Sequence, residues 1–243
     1  ILRCLVGSEM CIRDSDMAHI LAEAVITLFP NAKPTIGPFI KNGFYYDFDM
    51  ESTLSDDDLA NIEKKMKEIL SEGRDFLKRA VTKKEASEIF KDNKYKLELI
   101  NNLDNSDEIT LYEQKNFTDL CKGPHHKSTK DYNASFKITN VSGAYWRGIS
   151  TNKMLQRIYA TAWYSEKELR VYLKNLEEAK ERNHRRLGTD MGLFLLTDLS
   201  AGNVFWKDKG LTLYQNIEKY IRSEQQKLNY FEVKTPELVS NEL

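Results

Sequence analysis

The chain has 243 residues, with 36 Lys and Arg against 37 Asp and Glu and a formal net charge of −1 at pH 7, so its overall charge does not favour nucleic acid as a partner. A hydrophobic share of 41% suffices for an ordinary core, in one large or two smaller domains. No apolar run in the sequence is long enough to read as a membrane span.

In chain order, the first fifteen residues stand apart. Cys4 to Asp14 read like a translated transposase-type sequencing adapter, because a simple codon choice regenerates one, and residues 1–15 are set aside as a non-native segment. Their apolar run lacks the shape of a secretory signal. Of Cys4, Cys11 and Cys121, only Cys121 then counts as native, a disulfide is unavailable, and a reducing cytoplasmic setting fits.

A helix is predicted from Met17, with Asp16 capping its first turn, apolar residues at 17, 20, 21, 24, 25 and 28, and Pro30 as the stop. His19 sits at the edge of that stripe, as either a site residue facing a cleft or a satisfied histidine beside the core. Gly43 to Asp49 reads as an aromatic-rich strand. Ser55 opens a helix with Leu59, Ile62, Met66, Ile69 and Leu70 on its core face, and Thr82 opens a shorter one. Strands are predicted near 96–100, 109–114, 135–142 and 154–162, with Asn101 to Glu108 as a polar surface loop. The fold class implied is α+β, with an antiparallel-rich sheet.

Between these strands lies Asp119-Leu120-Cys121-Lys122-Gly123-Pro124-His125, a carboxylate, a thiol and an imidazole around a Gly-Pro turn. Cys121 and His125 can converge there to hold a metal or position water; equally, Cys121 can be a small buried hydrophobe and His125-His126 a solvated loop. Residues 132–165 carry Lys137, Arg147, Lys153 and Arg157 without an acidic residue, interleaved with Tyr145, Trp146, Tyr159 and Trp163. That stretch could contact phosphates and stack on a terminal base, or it is sheet core with a solvated cationic face.

Ser165 and Glu168 form a capping box for a long helix reaching about Arg186, with Leu169, Tyr172, Leu173, Leu176 and Ala179 on one side and Gly188 as its stop. Its basic end, Arg182 to Arg186, could touch RNA or be a solvated face. Beyond it, Val204 to Trp206 reads as a strand or turn, Thr212 to Leu228 as a helix, and Tyr230 to Thr235 as a strand ending at Pro236.

Five ordered blocks now carry a resemblance: Met17 to Pro30; Thr35-Ile36-Gly37-Pro38-Phe39 through Asp49; the Cys121 motif; Gly143-Ala144-Tyr145-Trp146-Arg147-Gly148 through Trp163; and Gly202-Asn203-Val204-Phe205-Trp206 through Pro236. Together, from about Asp16 to Leu243, they resemble bacterial threonyl-tRNA synthetases. The resemblance implies an editing domain over 16–164, a connector helix over 165–187, and over 188–243 the start of a class II catalytic domain with its motif 1. It also implies that the sites for ATP, Mg and the synthetic-site zinc lie beyond Leu243, so that this stretch should not aminoacylate. Expected partners are tRNA-Thr and, for the full-length enzyme, a second copy of itself.

The family's editing domain hydrolyses serine wrongly joined to threonine tRNA. Its site pattern maps onto His19, Cys121 and His125, with Lys96, Asp119 and Tyr46 lining the pocket and Arg147 and Lys153 as substrate-binding residues. Roles follow: His19 and His125 orient or deprotonate water, Lys96 steadies the oxyanion or the tRNA 3′ end, and Asp119 positions the substrate amine or a histidine. The family's first site histidine, four residues before His19, is here Ser15. Related alanyl editing domains hold zinc on such residues whereas threonyl enzymes can work without it, so zinc on His19, Cys121 and His125 stays open. Two other readings remain: a free-standing alanyl-type editing deacylase, against which residues 188–243 argue, and a tRNA-binding module with an impaired site, which Ser15 would favour.

Overall fold

The computed structural model describes residues 9–104, 109–115, 117–200 and 202–236. The elements, in order, are α1 (Glu9–Leu28), β1 (Lys33–Pro34), β2 (Phe39–Ile40), β3 (Gly43–Asp49), α2 (Asp56–Ser71), β4 (Leu77–Val81), α3 (Lys83–Ile89), α4 (Lys94–Asn101), β5 (Ile109–Gln114) and β6 (Phe117–Leu120). They continue with β7 (Ser135–Tyr145), β8 (Met154–Trp163), α5 (Glu166–Glu181), α6 (His184–Asp190), β9 (Phe194–Leu195), β10 (Phe205–Trp206) and α7 (Asp208–Lys227). The chain divides into two compact units, 1–172 and 173–243, with the boundary inside α5.

In the first unit an antiparallel sheet runs β1-β3-β8-β7, with β2 also on β3. Alternation in β3 turns Phe44, Tyr46 and Phe48 to one face, where Ile158, Ala160 and Ala162 of β8 join them. On this face α1 sets Met17, Ile20, Leu21 and Ala24, and α2 sets Ile62, Met66 and Ile69. Burying each large side chain fully stabilises the fold by about 1.5–3 kcal/mol, so this layer dominates the unit's stability. A second antiparallel sheet, β4-β5-β6, carries α3 and α4, with Ala86, Phe90, Ile100, Ile109 and Leu111 between them. Mixed α+β with antiparallel sheets is what the sequence implied.

Local signals explain most element boundaries. Ser55 and Thr82 form reciprocal capping boxes with Asp58 and Glu85. Ser165 and Glu168 do the same at the start of α5, where the Ser165 N–H donates to Glu168 Oε2 at 3.1 Å and the Glu168 N–H donates to Ser165 Oγ at 3.2 Å. α1 stops before Pro30, as expected.

Several expectations are corrected. α1 begins at Glu9, so Asp16 lies inside the helix rather than capping it, and residues 9–15 belong to the folded unit, with Cys11, Arg13 and Asp14 buried; the adapter-like residues 4–8 lie outside the described residues. Residues 96–100 are part of α4 and not a strand, because Asn93 caps the N–H groups of Tyr95 and Lys96. The alternation of Tyr95, Leu97 and Leu99 is also compatible with helical burial of Tyr95, Lys96 and Ile100. Of the predicted loop 101–108, Asn101 closes α4, and 105–108 lie outside the described residues.

The long helix predicted to Arg186 ends at Glu181. Asn183 breaks it by capping α6 through the Arg185 N–H, at 2.9 Å. Gly188 is no stop: it is buried within α6, where a Cβ would meet the Phe194 ring at 2.3 Å. In the second unit α7 starts at Asp208, and 230–236 form no strand; extended backbone becomes a strand only with a partner to accept and donate hydrogen bonds, and none is present among the described residues. The apolar residues Leu211, Tyr214, Ile217, Tyr220, Ile221 and Phe231 are exposed.

Candidate functional site

Helical spacing puts Ser15, Asp16, His19 and Glu23 on adjoining turns of α1. Opposite them, β6 ends at Leu120, and Cys121 prolongs its pairing with β5: the Cys121 N–H donates to Thr110 O at 3.2 Å and Thr110 Oγ1 donates to Cys121 O at 2.6 Å. The chain then reverses at Gly123, whose φ of +70° only glycine adopts easily, and whose Cβ, if present, would lie 2.2 Å from the Tyr112 hydroxyl. This turn brings His125 back over Cys121.

The returning segment is clipped by residues 74–76. The Phe76 N–H donates to Lys127 O at 2.9 Å, the Thr129 N–H to Arg74 O at 2.7 Å, and the Arg74 N–H to Thr129 Oγ1 at 2.8 Å. Arg74 also reaches Glu23 of α1 at 3.1 Å, and Gln114 Nε2 donates to Glu23 at 2.8 Å and to His19 O at 3.3 Å. One buried polar strut thus ties the helix bearing His19 to the loop bearing His125.

At the centre, ligating atoms of His19, Cys121 and His125 all lie within 4.8 Å of one another. His125 Nε2 is 3.0 Å from Cys121 Sγ and 3.4 Å from Ser15 Oγ, while its Nδ1 is 2.6 Å from Asp16 Oδ1. The Gly123 N–H donates to Cys121 Sγ at 3.3 Å. The Phe76 ring stacks on His125, with centroids 5.2 Å apart and planes at 18°, and the Tyr112 ring lies 4.2 Å away.

Behind this group a second, buried set consists of Asp119, Lys96 and Tyr46. Lys96 of α4 forms an ion pair with Asp119 and donates to the Tyr46 hydroxyl at 3.2 Å; that hydroxyl donates to Asp119 Oδ2 at 2.5 Å. His19 Nε2 stands 3.9 Å from the same carboxylate, and His19 Nδ1 is buried without a hydrogen-bond partner. Burial works against charge on Asp119, yet Lys96, and after it His19, hold its carboxyl below the ordinary range. Burial, followed by the Asp119 charge, pushes the Tyr46 phenol well above its usual value, which keeps it a donor.

Electrostatics single out Cys121. Burial by itself would raise the thiol, but hydrogen bonds from His125 and His19 outweigh it and bring Cys121 down to about 5. Burial likewise opposes charging His125, but Asp16 and Cys121 outweigh it and lift His125 to about 9. Between these values the pair is a thiolate and an imidazolium. Alkylation of Cys121 by iodoacetamide should therefore run at a nearly constant rate from pH 6.5 to 8.5, where an ordinary thiol gains about tenfold per pH unit on the acid side of its pKa. A rate climbing steeply across that range would disprove the ion pair.

The donor set suits a metal of intermediate softness: one sulfur and two imidazoles, with His125 held on its other nitrogen by a carboxylate, as histidine ligands commonly are. The buried, unpartnered His19 Nδ1 fits the same chemistry.

The structure thus brings together His19, Cys121, His125, Lys96, Asp119 and Tyr46. It does not place Arg147 and Lys153 with them. Arg147 pairs with Glu98 at 2.9 Å and Lys153 forms an ion pair with Asp49. Lys137 and Arg157 are likewise matched by Glu63 and by a bidentate contact with Asp47, so the acid-free stretch 132–165 is neutralised by carboxylates from β3, α2 and α4, and Trp146 is buried. Asp16, Phe76 and Tyr112 were missed as site residues. Asp16 precedes His19 by three positions, a helical spacing that could have flagged it; nothing in the sequence marks Phe76.

Residues 109–159, which include Asp119, Cys121 and His125, match the family model described as threonyl and alanyl tRNA synthetase second additional domain. The chain is 50% identical over 230 residues to the threonine–tRNA ligase of Wolbachia pipientis subsp. Culex pipiens (strain wPip), an alignment covering 94% of this chain and 36% of that protein. It is 51% identical over 230 residues to that of Wolbachia sp. subsp. Brugia malayi (strain TRS), with the same coverage. Against that of Paramagnetospirillum magneticum (strain AMB-1) it is 49% identical over 226 residues, 92% of this chain and 35% of the relative. The chain therefore resembles threonine–tRNA ligases over nearly all of its own length and spans about a third of theirs.

Proposed function

We propose that residues 16–164 form a hydrolytic editing domain that removes serine from mischarged tRNA-Thr, as part of a threonyl-tRNA synthetase. The observation that carries this reading is the convergence of His19, Cys121 and His125 in front of the buried Lys96–Asp119–Tyr46 set. Such a domain has a physical reason to exist. Serine lacks one methyl of threonine, and a pocket that binds threonine rejects serine by only about 1–3 kcal/mol, so a second sieve is needed.

Hydrolysis of the ester requires a water held against the acyl carbon, a proton acceptor for it, and a donor for the departing tRNA hydroxyl. His19, whose Nδ1 has no hydrogen-bond partner while its Nε2 stands 3.9 Å from the Asp119 carboxylate, is suited to hold and deprotonate the water. His125, paired with Cys121, is suited to hand a proton to the leaving oxygen. Lys96 uses two of its three N–H donors on Asp119 and Tyr46, which leaves one for a substrate oxygen. Zinc, if bound by His19, Cys121 and His125, would supply Lewis acidity and an acidified water.

The wider activity, ATP- and Mg-dependent joining of threonine to tRNA in the cytoplasm by a homodimer, belongs to this same reading for the longer enzyme. No helix among the described residues is long and apolar enough to cross a membrane. The test is deacylation of seryl-tRNA-Thr and threonyl-tRNA-Thr by this chain. Selective hydrolysis of the seryl ester, lost in Cys121→Ala with His125→Ala, is expected. Equal rates on both esters would overturn the editing reading, and binding of tRNA without hydrolysis of either would leave a tRNA-binding module.

A further inference from the structure

We propose that Asp16 is a positioning residue of this site: its carboxylate, held from the far side by His126, fixes the flip of the His125 ring so that Nε2 faces Cys121 and Ser15. The inference takes its purpose from the hydrolytic reading above, but its geometry and its test need no substrate.

Asp16 is completely buried, and a buried carboxylate must be compensated. Both of its oxygens are used by imidazoles of consecutive residues: Oδ1 lies 2.6 Å from His125 Nδ1, and Oδ2 lies 2.6 Å from His126 Nδ1. A carboxylate only accepts, so each ring donates its Nδ1–H. Holding Nδ1 on one side of the His125 ring sends Nε2 to the other, 3.0 Å from Cys121 Sγ and 3.4 Å from Ser15 Oγ.

Packing alone cannot make that choice. The Phe76 ring, stacked on His125 at 5.2 Å and 18°, fixes the plane of the imidazole, but a half-turn about Cβ–Cγ keeps the plane and exchanges Nδ1 with Cδ2 and Nε2 with Cε1. In the flipped ring a carbon would face the thiol. The two states differ in the contacts of the ring nitrogens, Nε2 with Cys121 and Ser15 on one side and Nδ1 with Asp16 on the other, and the Asp16 contact, at 2.6 Å and to a buried carboxylate, is the shortest of them. His126 in turn prevents the carboxylate from rotating away: its ring packs on Tyr132 at 4.4 Å, and its side chain is 20% exposed, so it closes the network at the surface.

The experiment is long-range 1H–15N NMR of the imidazoles in the whole chain, with the backbone amide spectrum as a check on folding. The unaltered protein should show two protected Nδ1 protons, those of His125 and His126. In Asp16→Asn the amide offers one acceptor oxygen, and its NH2 cannot accept, so at least one of those protons should be lost and the His125 ring signals should broaden between two flips. In His126→Phe the ring stack on Tyr132 is kept but the second donor is removed; the His125 Nδ1 proton should persist while exchanging with water about tenfold faster or more. An Asp16→Asn protein with a native amide spectrum, both Nδ1 protons unchanged and no broadening of the His125 ring signals would overturn the proposal. If that variant does not fold, an unchanged exchange rate in His126→Phe would overturn it instead.

Discussion

Replacing Ser15 with histidine is expected to raise the rate of seryl-tRNA hydrolysis by this chain about 10²-fold or more, the usual contribution of one positioned acid–base group. Ser15 occupies the place where the resembled family carries its first site histidine, and the structure puts its hydroxyl inside the site, 3.9 Å from Cys121 Sγ and 3.4 Å from His125 Nε2. A serine hydroxyl there can donate or accept a hydrogen bond but does not take up a proton near neutral pH, whereas an imidazole does both. The position is one helical turn before His19, so both side chains would face the same water. The measurement is single-turnover deacylation of seryl-tRNA-Thr by the two proteins at pH 7.5. Equal rates would show that position 15 takes no part, and would move the burden of water activation onto His19 and His125 alone.

The largest effect on stability should come from Lys96. Lys96→Met leaves Asp119 buried without a cationic partner other than a protonated His19, its remaining hydrogen bonds coming from the Tyr46 hydroxyl and the Leu120 N–H, and breaking a buried ion pair from one side costs about 3–5 kcal/mol. Removing both charges, in Lys96→Met with Asp119→Leu, should recover much of that loss, because the uncompensated charge is the expensive part. The pH dependence has a definite sign. Asp119 titrates below its ordinary 3.8 in the folded protein, so the contribution of the pair is fully present above the unfolded value and is lost as pH falls through the lower, folded one. Urea unfolding at pH 7 should separate the single variant from the unaltered protein by the full amount, and the gap should shrink towards pH 3 and below. A single variant as stable as the parent at pH 7 would mean that Asp119 is solvated or neutral, and that the buried set described here does not form.

Much of the site was legible without coordinates because it is written in short spacings. Three and four residues are the lengths over which a helix or a turn brings side chains together, so the Ser55, Thr82 and Ser165 caps, the apolar stripe of α1 and the Cys121–Gly123–Pro124–His125 reversal could be read directly. That His19 belongs with Cys121 came from the resemblance, since nothing local links residues about a hundred positions apart.

The tertiary structure decided what depends on partners distant in sequence. Asp16 looks like a helix cap until seven further helical residues precede it and two histidines more than a hundred positions away claim its oxygens. The cations of 132–165 look like a phosphate-binding stripe until Glu63, Asp47, Asp49 and Glu98 arrive from other elements and neutralise them. Lys96 looks like a strand residue until Asn93 caps α4 and turns its amine inward on Asp119. Residue type and near-neighbour spacing therefore determined which groups this chain has to work with, through hydrogen bonds and periodicities that close within one turn. Which of those groups are charged, paired or left free was decided by packing, because charge and desolvation depend on whatever the fold brings within a few ångströms, whatever its distance along the chain.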